Sequence, residues 1–496
     1  VMRRAPIALT VALMLCLLTM LPPLYQPAQA SHAIGAAVAP RPAAATSPIN
    51  ATLFQQIVRE VIPFIMDNMY KYGKDNDTWF FVEWNATSGE KLSEEASPYY
   101  LPVFTLAYLF TGNNTYLEWG KKAFDAFVTS SLYNSIPMHF NITSNTMLVK
   151  SVSLSDIHRF VVFCIQLYEL TGNRTYLSQA RETIDVVISR MYNLTTGIPH
   201  YYYDPSANAG SSVCYFWAWA LMSQCLALLY RYTENQTYLS LIWRGIDTLT
   251  KIANENNQLL PYNFWPDGTA ASTYSWHVNI GSFIPLYALL KNNTLLEMIK
   301  RIANSGIRYA WNSTLGRFVN EIYLDGTQKT YELNGALGGA FILSLAWLYH
   351  ATGNITYLQY AERCFNTYYS NALKNGLLCM KLDAHNRPQD IAYFFGYSQD
   401  MALAFSHLYF ATGNETYLLL FQELVEKWLT YFRSNTGFIN AINVTDFTTY
   451  NDNTRDILKR FERGLEAAFN IFCAFLDKGT VSYTHLRAHE TEADLV

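Results

Sequence analysis

The chain is 496 residues long, half of its residues are hydrophobic, 15% are aromatic, only 15% are charged, and its formal net charge is −4. This supply of apolar residues is enough for one large, deeply packed core. Because binding to phosphates needs an excess of lysine and arginine, the balance of charges argues against nucleic acid as a partner.

Residues 1–30 have the pattern of a secretory signal peptide. A charged start at residues 2–4 (MRR) is followed by a short apolar run over residues 8–21 and by small residues at 28–30 (AQA). An uncleaved anchor is the alternative, although the run is short for a membrane span. We therefore expect a secreted or cell-surface protein with no membrane contact beyond this segment.

Residues 31–49 are rich in Ala and Pro, lack periodicity and predict a linker. The folded domain is expected over residues 50–479. Residues 480–496 are polar and unlike everything before them. They resemble a translated sequencing-adaptor read-through, so we interpret them as a non-native tail and leave them out of the fold prediction.

One ten-residue pattern recurs six times within the predicted domain. It reads YELTGNRTYL from Tyr168, and the intervals between successive copies are 57–62 residues. A period this regular indicates a helical repeat. The other copies begin at Tyr108, Tyr230, Tyr287, Tyr349 and Tyr409.

Each copy predicts a turn between two helices. Gly172 supplies a left-handed residue at the end of the first helix. Two copies have Glu234 and Lys291 instead, and there we expect the following Asn to take that conformation. Thr175 is expected to cap the second helix.

The residues around each turn predict one buried helix and one helix with a solvent-exposed face. Residues 214–230 are mostly apolar, whereas residues 175–191 are amphipathic at helical spacing. Six such hairpins predict an all-α (α/α)6 toroid with inner and outer helices. Residues 52–72 and 458–476 could add a seventh hairpin between the chain ends, so an (α/α)7 toroid stays open.

Thirteen Asn-x-Ser/Thr sequons occur in the sequence. Six lie in the repeat turns, where capping alone would favour Asn and Thr, while the other seven support an exported glycoprotein. Six cysteines follow the signal segment, and a Cys364–Cys379 bridge stays open. No cysteine spacing indicates a metal site.

The long loops opposite the repeat turns are expected to carry the functional site. Three of them, residues 197–204, 316–325 and 376–383, share a Gly, a strand-like run and an Asp, and we interpret them as β-hairpin flaps. In three repeats polar or ionisable residues lie nine, ten or twelve positions before the repeat tyrosine, which places them in one layer near the mouth of the ring. The fifth repeat instead has glycines, which are expected to leave space.

This layer supplies the candidate catalytic residues. Asp156 and Asp400 come first, followed by His158 and His277. Two carboxylates could hydrolyse a glycosidic bond. Two histidines, or a histidine with a tyrosine, could instead move a proton at a sugar carbon. The structural alternative is that Asp156 caps its helix and pairs with His158 or Arg159.

Candidate substrate-binding residues surround this layer, and aromatic faces among them would stack on sugar rings. They are Arg159, Trp217, Trp219, Trp276, Tyr397, Gln399 and Tyr201–Tyr203, with Tyr203 and Tyr397 as the possible tyrosine partners in proton transfer. The loop acids Asp204, Asp267, Asp325, Asp383 and Asp390 are instead expected to stabilise turns.

The six turns resemble those of the six-hairpin glycosidase superfamily. Residues 331–335 (YELNG) and the apolar run after them are similar to a segment of D-glucuronyl C5-epimerase C-terminal domains. That second resemblance implies that Glu332 and Asn334 belong to the site. The family's Gly-Met-Ala-Gln-Gly stretch reads FWAWA over residues 216–220 here.

Together these patterns predict a secreted carbohydrate-active enzyme that acts on a polysaccharide or glycan by acid/base catalysis, without a cofactor or metal. Hydrolase, lyase and epimerase all stay open. The competing interpretation is a non-catalytic glycan-binding or surface-scaffold toroid.

Overall fold

The computed structural model describes residues 57–75, 79–80, 83–93, 95–130, 135–141, 146–147, 151–394 and 399–451. The predicted signal peptide, linker and tail lie outside these ranges, as do residues 458–476, the second half of the predicted seventh hairpin.

Thirteen α-helices form within the described ranges. Short helices of other types precede three of them, a π-helix at Ile57–Val61 and 3-10 helices at Pro98–Tyr100 and His277–Ser282. The α-helices are α1 (Ile62–Gly73), α2 (Pro102–Thr111), α3 (Asn114–Thr129), α4 (Leu154–Thr171), α5 (Arg174–Met191), α6 (Phe216–Thr233), α7 (Gln236–Glu255), α8 (Phe283–Leu290), α9 (Asn293–Ala310), α10 (Gly335–Thr352), α11 (Ile355–Ala372), α12 (Gln399–Thr412) and α13 (Thr416–Tyr431).

Helices α2 to α13 form the six predicted hairpins. The first helix of each hairpin is inner: α2, α4, α6 and α8 pack in succession, α8 and its 3-10 turn lead to α10, and α10 packs on α12. Thirteen residues of α4 are buried but only six of the equally long α5, which has the wet face of an outer helix. The prediction of an all-α toroid of six hairpins is confirmed.

The turn between the helices of each hairpin is left-handed at one residue. Gly172 has φ +70°, and Glu234 and Lys291 have φ +56° and +49°. The expectation that the following Asn would take this conformation is therefore wrong. Asn173 is instead the N-cap, and its side chain accepts the backbone N–H of Thr175, so the capping role predicted for Thr175 is wrong as well.

The loops opposite the turns are tied to one another by short antiparallel strands. We call these loops, which lead into an inner helix or follow the last outer helix α13, the mouth loops. A strand that precedes each inner helix pairs with a strand of the next mouth loop. The six pairs are Glu95–Ala96 with Phe140–Asn141, Val152–Ser153 with Tyr202–Asp204, Cys214–Tyr215 with Asn263–Phe264, Tyr274–Ser275 with Ile322–Tyr323, Leu333–Asn334 with Lys381–Leu382, and Ile391–Tyr393 with Ala441–Asn443.

The three loops interpreted as β-hairpin flaps do contain local hairpins. Their second strands also pair with the preceding mouth loop, which ties each flap to its neighbour. The remaining strands extend these pairs or close local hairpins: Lys74–Asp75 with Trp79–Phe80, Glu83–Trp84 with Lys91–Ser93, Thr146–Met147, Tyr192–Asn193 with Ile198–Pro199, Ala209–Ser211, Trp311–Asn312 with Arg317–Phe318, Leu373–Lys374 with Leu377–Leu378, and Thr449–Asn451.

The first and last parts of the described chain meet. Helix α1 packs on α2, and the rings of Phe64 and Phe438 lie 5.6 Å apart. The indole of Trp84 donates a hydrogen bond to the carbonyl of Thr436 at 3.0 Å. Within the described residues, no helix is long and apolar enough to cross a membrane.

The described cysteines are buried thiols. Cys364 and Cys379 are both free, so the bridge left open between them is not formed. Cys473 lies outside the described residues.

We predict that Gly245→Ala destabilises the toroid. A β-carbon there would lie 2.3 Å from Nε1 of the fully buried Trp219. Replacing glycine by alanine inside a helix normally adds about 1 kcal/mol of stability, whereas overpacking a rigid core removes about 1–3 kcal/mol. Urea unfolding should show a net loss. Gly437→Ala is the control, because its nearest neighbour, Nε1 of Trp84, would lie at 3.5 Å; an equal loss in both variants would contradict the prediction.

Candidate functional site

Seven aromatic side chains form a continuous surface at the mouth of the ring, and we call this surface the aromatic wall. Its members lie on or beside the paired strands and at the starts of α6 and the 3-10 turn before α8. Neighbouring ring centroids are 4.3–5.6 Å apart. The wall consists of Tyr201, Tyr202, Tyr215, Trp217, Tyr262, Tyr274 and Trp276.

The wall is partly open to solvent. Tyr202 is 37% exposed, and the other six rings are half-buried. Tyr215 stacks on Trp217 with an angle of 22° between their planes, and Tyr262 stacks on Tyr274 with an angle of 16°. The rings therefore hold one another in place while each keeps an exposed part, as a preformed binding surface requires.

A carboxylate and a histidine lie at one end of the wall. Oδ1 of Asp156 is 3.2 Å from Nε2 of His139, and both side chains are only 12% exposed. The other carboxylate oxygen of Asp156 accepts hydrogen bonds from the hydroxyl and the backbone N–H of Ser153, which forms a capping box at the start of α4. Tyr201 and Tyr202 lie within the electrostatic reach of Asp156.

Asp156 is held in its ionised form. Burial alone would raise its pKa, but the hydrogen bond and charge of His139 and the two bonds from Ser153 outweigh burial and lower the pKa below the usual value. The predicted capping role of Asp156 is confirmed, although its ring partner is His139. Both His158 and Arg159 lie buried in α4, 9% and 6% exposed.

A second carboxylate lies at the other end of the wall. Glu321 accepts a hydrogen bond from Nε1 of Trp276 at 2.9 Å and pairs with Lys329 at 3.0 Å. The ammonium group of Lys329 also lies 3.5 Å from the centroid of the Tyr274 ring, a cation–π contact. Glu321 is thus tied to the wall in two ways, directly by the hydrogen bond from Trp276 and through Lys329 to Tyr274.

Two tyrosines of the wall, Tyr201 and Tyr262, stay neutral. Burial, followed by the neighbouring phenols and carboxylates, raises the pKa of Tyr262 to about 12. Burial likewise raises the pKa of Tyr201 above its usual value. Their hydroxyl groups are therefore protonated at neutral pH and can donate hydrogen bonds to a polar ligand on the wall.

The stacking role predicted for Trp219 and Tyr203 is wrong, because both side chains are buried. Trp219 is fully buried, and its indole N–H donates to the carbonyl of Gly197. Tyr203 is 1% exposed, and its hydroxyl bonds Asn208 and Arg190 beneath the loop.

The two residues implied by the epimerase resemblance lie on a neighbouring strand pair. Glu332 is half exposed and pairs with Lys381 at 2.9 Å. Asn334 caps α10, where its side chain accepts the backbone N–H of Leu337 at 2.7 Å. This capping role accounts for Asn334 without a ligand. Its predicted role in the site stays a prediction.

Four other predicted residues cannot be placed by their side chains. Gln399 and Asp400 begin α12, and His277 begins the 3-10 turn before α8, but their side chains lie outside the described part of the structure, as does the whole of Tyr397. The space expected at the fifth-repeat glycines is partly filled, because Leu333 lies 3.3 Å from where a β-carbon of Gly338 would be.

Four of the five loop acids stabilise turns, as predicted. Asp204, Asp267 and Asp325 each accept the backbone N–H two residues on, at 2.8 Å. Backbone and side-chain bonds from Arg387 lower the pKa of Asp383 to about 2. Asp390 pairs instead with Lys374 at 2.8 Å. These acids are ionised and satisfied, which makes them poor proton donors.

The described residues contain no cluster of three His, Cys, Asp or Glu side chains that could hold a metal ion. What the mouth does bring together is a long aromatic surface, neutral hydroxyl groups and two fixed carboxylates, one of them bound to a histidine. His139, Glu321 and Lys329 were missed by the sequence analysis. All three lie in long loops that the sequence assigned to the mouth, residues 133–155 and 315–331, but no motif there singled them out.

No family model matches the sequence, and no curated protein matches it. Solved structures do share its fold. An α-1,2-mannosidase from Trichoderma reesei aligns with a TM-score of 0.62 at 14% identity, over 84% of this chain and 93% of the other. A D-mannose isomerase aligns at 0.55 and 15%, over 70% and 93%. A cellobiose 2-epimerase from Bacillus thermoamylovorans aligns at 0.53 and 14%, over 68% and 93%.

We predict that Asp156→Asn destabilises the protein by about 1–3 kcal/mol at pH 7, because it removes the charge that holds His139 and leaves buried groups poorly matched. The pKa of Asp156 is depressed by folding, so its contribution is present above the unfolded value of about 4 and is lost as the pH falls through the folded pKa. Urea unfolding between pH 7 and pH 3 should show the variant and the parent converging in acid.

Asp204→Asn is the control for this prediction, because an amide can accept the same turn bonds from Ser206. A loss for Asp156→Asn that is constant across the pH range would show that the charge of Asp156 plays no part.

Proposed function

We propose that this protein is a secreted carbohydrate-active enzyme that binds a glycan along the aromatic wall. The observation that carries the proposal is the wall itself, a row of seven partly open rings that ends at the His139–Asp156 pair. The C–H faces of sugar rings stack on aromatic faces, and polar groups at the edges fix their orientation. The signal-peptide pattern of residues 1–30 supports secretion.

The charges at the wall favour proton transfer by histidine. Both oxygens of Asp156 are already bonded, and its lowered pKa keeps it ionised. A carboxylate in that state is a poor general acid but a good positioning group, since it fixes the orientation of a histidine ring. We therefore assign the acid/base role to His139 and the positioning role to Asp156.

The reaction that fits best is an epimerisation or isomerisation. A base removes the proton from the carbon next to the carbonyl of an open-chain sugar, which leaves an enediolate. The proton is then returned to the other face of that carbon or to the neighbouring carbon. Two of the structures that share this fold are named for such conversions, a D-mannose isomerase and a cellobiose 2-epimerase.

Hydrolysis is the second candidate, and Glu321 is the observation in its favour. This carboxylate is 18% exposed and contacts the wall through Trp276. It could act on a glycosidic bond bound across Tyr262 and Tyr274. A uronate-directed epimerase or lyase would use Lys329 to hold the sugar carboxylate. A toroid that only binds glycans is the non-catalytic alternative.

The purified protein should be incubated in deuterated water with a panel of neutral and uronate-containing sugars and polysaccharides, and the products read by mass and proton NMR. We expect deuterium at a sugar carbon without chain cleavage. Shortened chains without carbon-bound deuterium would point to hydrolysis, and unsaturated ends to a lyase. Binding without any product would overturn the assignment as an enzyme.

We predict that Trp217→Ala weakens glycan binding roughly tenfold, equivalent to about 1.4 kcal/mol, because it removes an open ring and the stacking partner of Tyr215. Tyr450→Ala is the matched control, since Tyr450 is 58% exposed on a different mouth loop. Isothermal titration with a glycan found in the panel would measure both. Equal losses, or no loss in Trp217→Ala, would rule out the wall as the binding surface.

A further inference from the structure

The turn end of the toroid carries two threonines in most repeats, and the structure gives them different roles. The threonine before the left-handed residue is structural. Its hydroxyl donates to the carbonyl four residues earlier at 2.6–2.8 Å and accepts the backbone N–H of the capping Asn at 3.1–3.4 Å. These residues are Thr111, Thr171, Thr233, Thr352 and Thr412.

The threonine two residues after the Asn contributes only its backbone. In five turns its N–H donates to the Asn side chain at 3.0–3.1 Å; in the fourth repeat Leu295 takes this place. Among the described contacts its hydroxyl makes no hydrogen bond in any of the six turns. Any residue except proline could supply the same N–H. Capping therefore explains the Asn of each turn but leaves the second threonine unexplained.

The repeats have diverged around this pair without losing it. The left-handed glycine is replaced by Glu234 and Lys291, and the structural threonine by Leu290. The residue between the Asn and the second threonine is different in most turns: Asn114, Arg174, Gln236, Asn293, Ile355 and Glu415. All six turns keep an Asn with a threonine two residues later and no proline between them. This pattern is the acceptor sequence for N-linked glycosylation.

We propose that the turn end of the toroid is an N-glycosylated face. The amide Nδ2 of each turn Asn would attack C1 of a lipid-linked oligosaccharide, supplied by the secretory host. The new Nδ2–C1 bond replaces the bond from C1 to the phosphate oxygen, and the amide proton leaves with the lipid phosphate. The six acceptors are Asn113, Asn173, Asn235, Asn292, Asn354 and Asn414.

The topology places these glycans away from the aromatic wall. Every inner helix runs from a mouth loop to a repeat turn, so the turns share the end of the ring opposite the mouth. Four of the six Asn residues are exposed there and the other two, Asn235 and Asn292, are half-buried. The side-chain oxygen of each Asn accepts a backbone N–H at the start of the outer helix. A sugar attached to the side-chain nitrogen would therefore extend into solvent.

The chain contains its own negative control. Asn312 also begins a sequon, but its Nδ2 donates to Oε1 of Gln328 at 2.9 Å and its Oδ1 accepts the N–H of Leu315 at 3.0 Å. Both atoms are engaged between the Trp311–Asn312 strand and its neighbours, so we expect Asn312 to remain unmodified.

The first test is to express the full chain in a eukaryotic secretory host, release N-glycans enzymatically in heavy-oxygen water, and measure the mass of each sequon peptide. We expect the mass increase that marks an occupied site at the turn asparagines and none at Asn312. Unmodified turns beside modified sequons elsewhere, such as Asn193 or Asn443, would overturn the proposal, and so would a chain that carries no glycan.

The second test separates the two threonines. Thr175→Val should abolish the glycan at Asn173 while Thr175→Ser keeps it. In protein made in a bacterium without glycosylation machinery, Thr175→Val should leave the Tm nearly unchanged, whereas Thr171→Val should lower it by about 1–3 °C. Equal losses of Tm would show that the second threonine is structural and would remove the reason for the proposal.

Discussion

The pairing of each mouth loop with the next is the constraint on which the rest of the mouth depends. Helices that pack through apolar side chains can slide and rotate by small amounts, but a strand pair fixes register through backbone hydrogen bonds, and a slip of one residue would turn every side chain to the opposite face. Because the pair at Val152–Ser153 ends one residue before α4, it fixes the start of that helix and hence the position of Asp156. The same holds for Trp217 at the start of α6.

Side chains alternate between the two faces of these strands, and this alternation decides which aromatic rings reach the solvent at the mouth. Tyr202 is exposed in the strand that follows α5, while its neighbour Tyr203 points into the protein and bonds Arg190. On α6 the same separation occurs by helical rotation: Trp217 joins the wall, whereas Trp219 lies against Gly245 of the outer helix α7. One or two residues of chain therefore separate a ring of the aromatic wall from a ring of the core.

Local pattern was enough to predict the repeat, the hairpins and the ring, since each of these depends on periodicity within about 60 residues of sequence. Local pattern was not enough to predict contacts between residues of different repeats. The strand pairs join residues about 50 positions apart, as Ser153 and Tyr202 show, and nothing in either segment identifies its partner. Trp217 and Trp276 were predicted as stacking residues beside the polar layer at the mouth. His139 lies outside that layer in an irregular loop, and only the folded chain brings it to Asp156.

The strand pairs also bear on how such a ring could arise. Five mouth loops, those that lead into α4, α6, α8, α10 and α12, each pair one strand with the preceding loop and one with the following loop. A duplicated hairpin therefore carries strand edges that already fit its own copy. A gene that gains a unit in this way encodes a longer arc that is still joined at each step, and closure is then decided by the angle between successive hairpins. Growth by whole units preserves every existing junction, which leaves the mouth loops free to diverge one at a time.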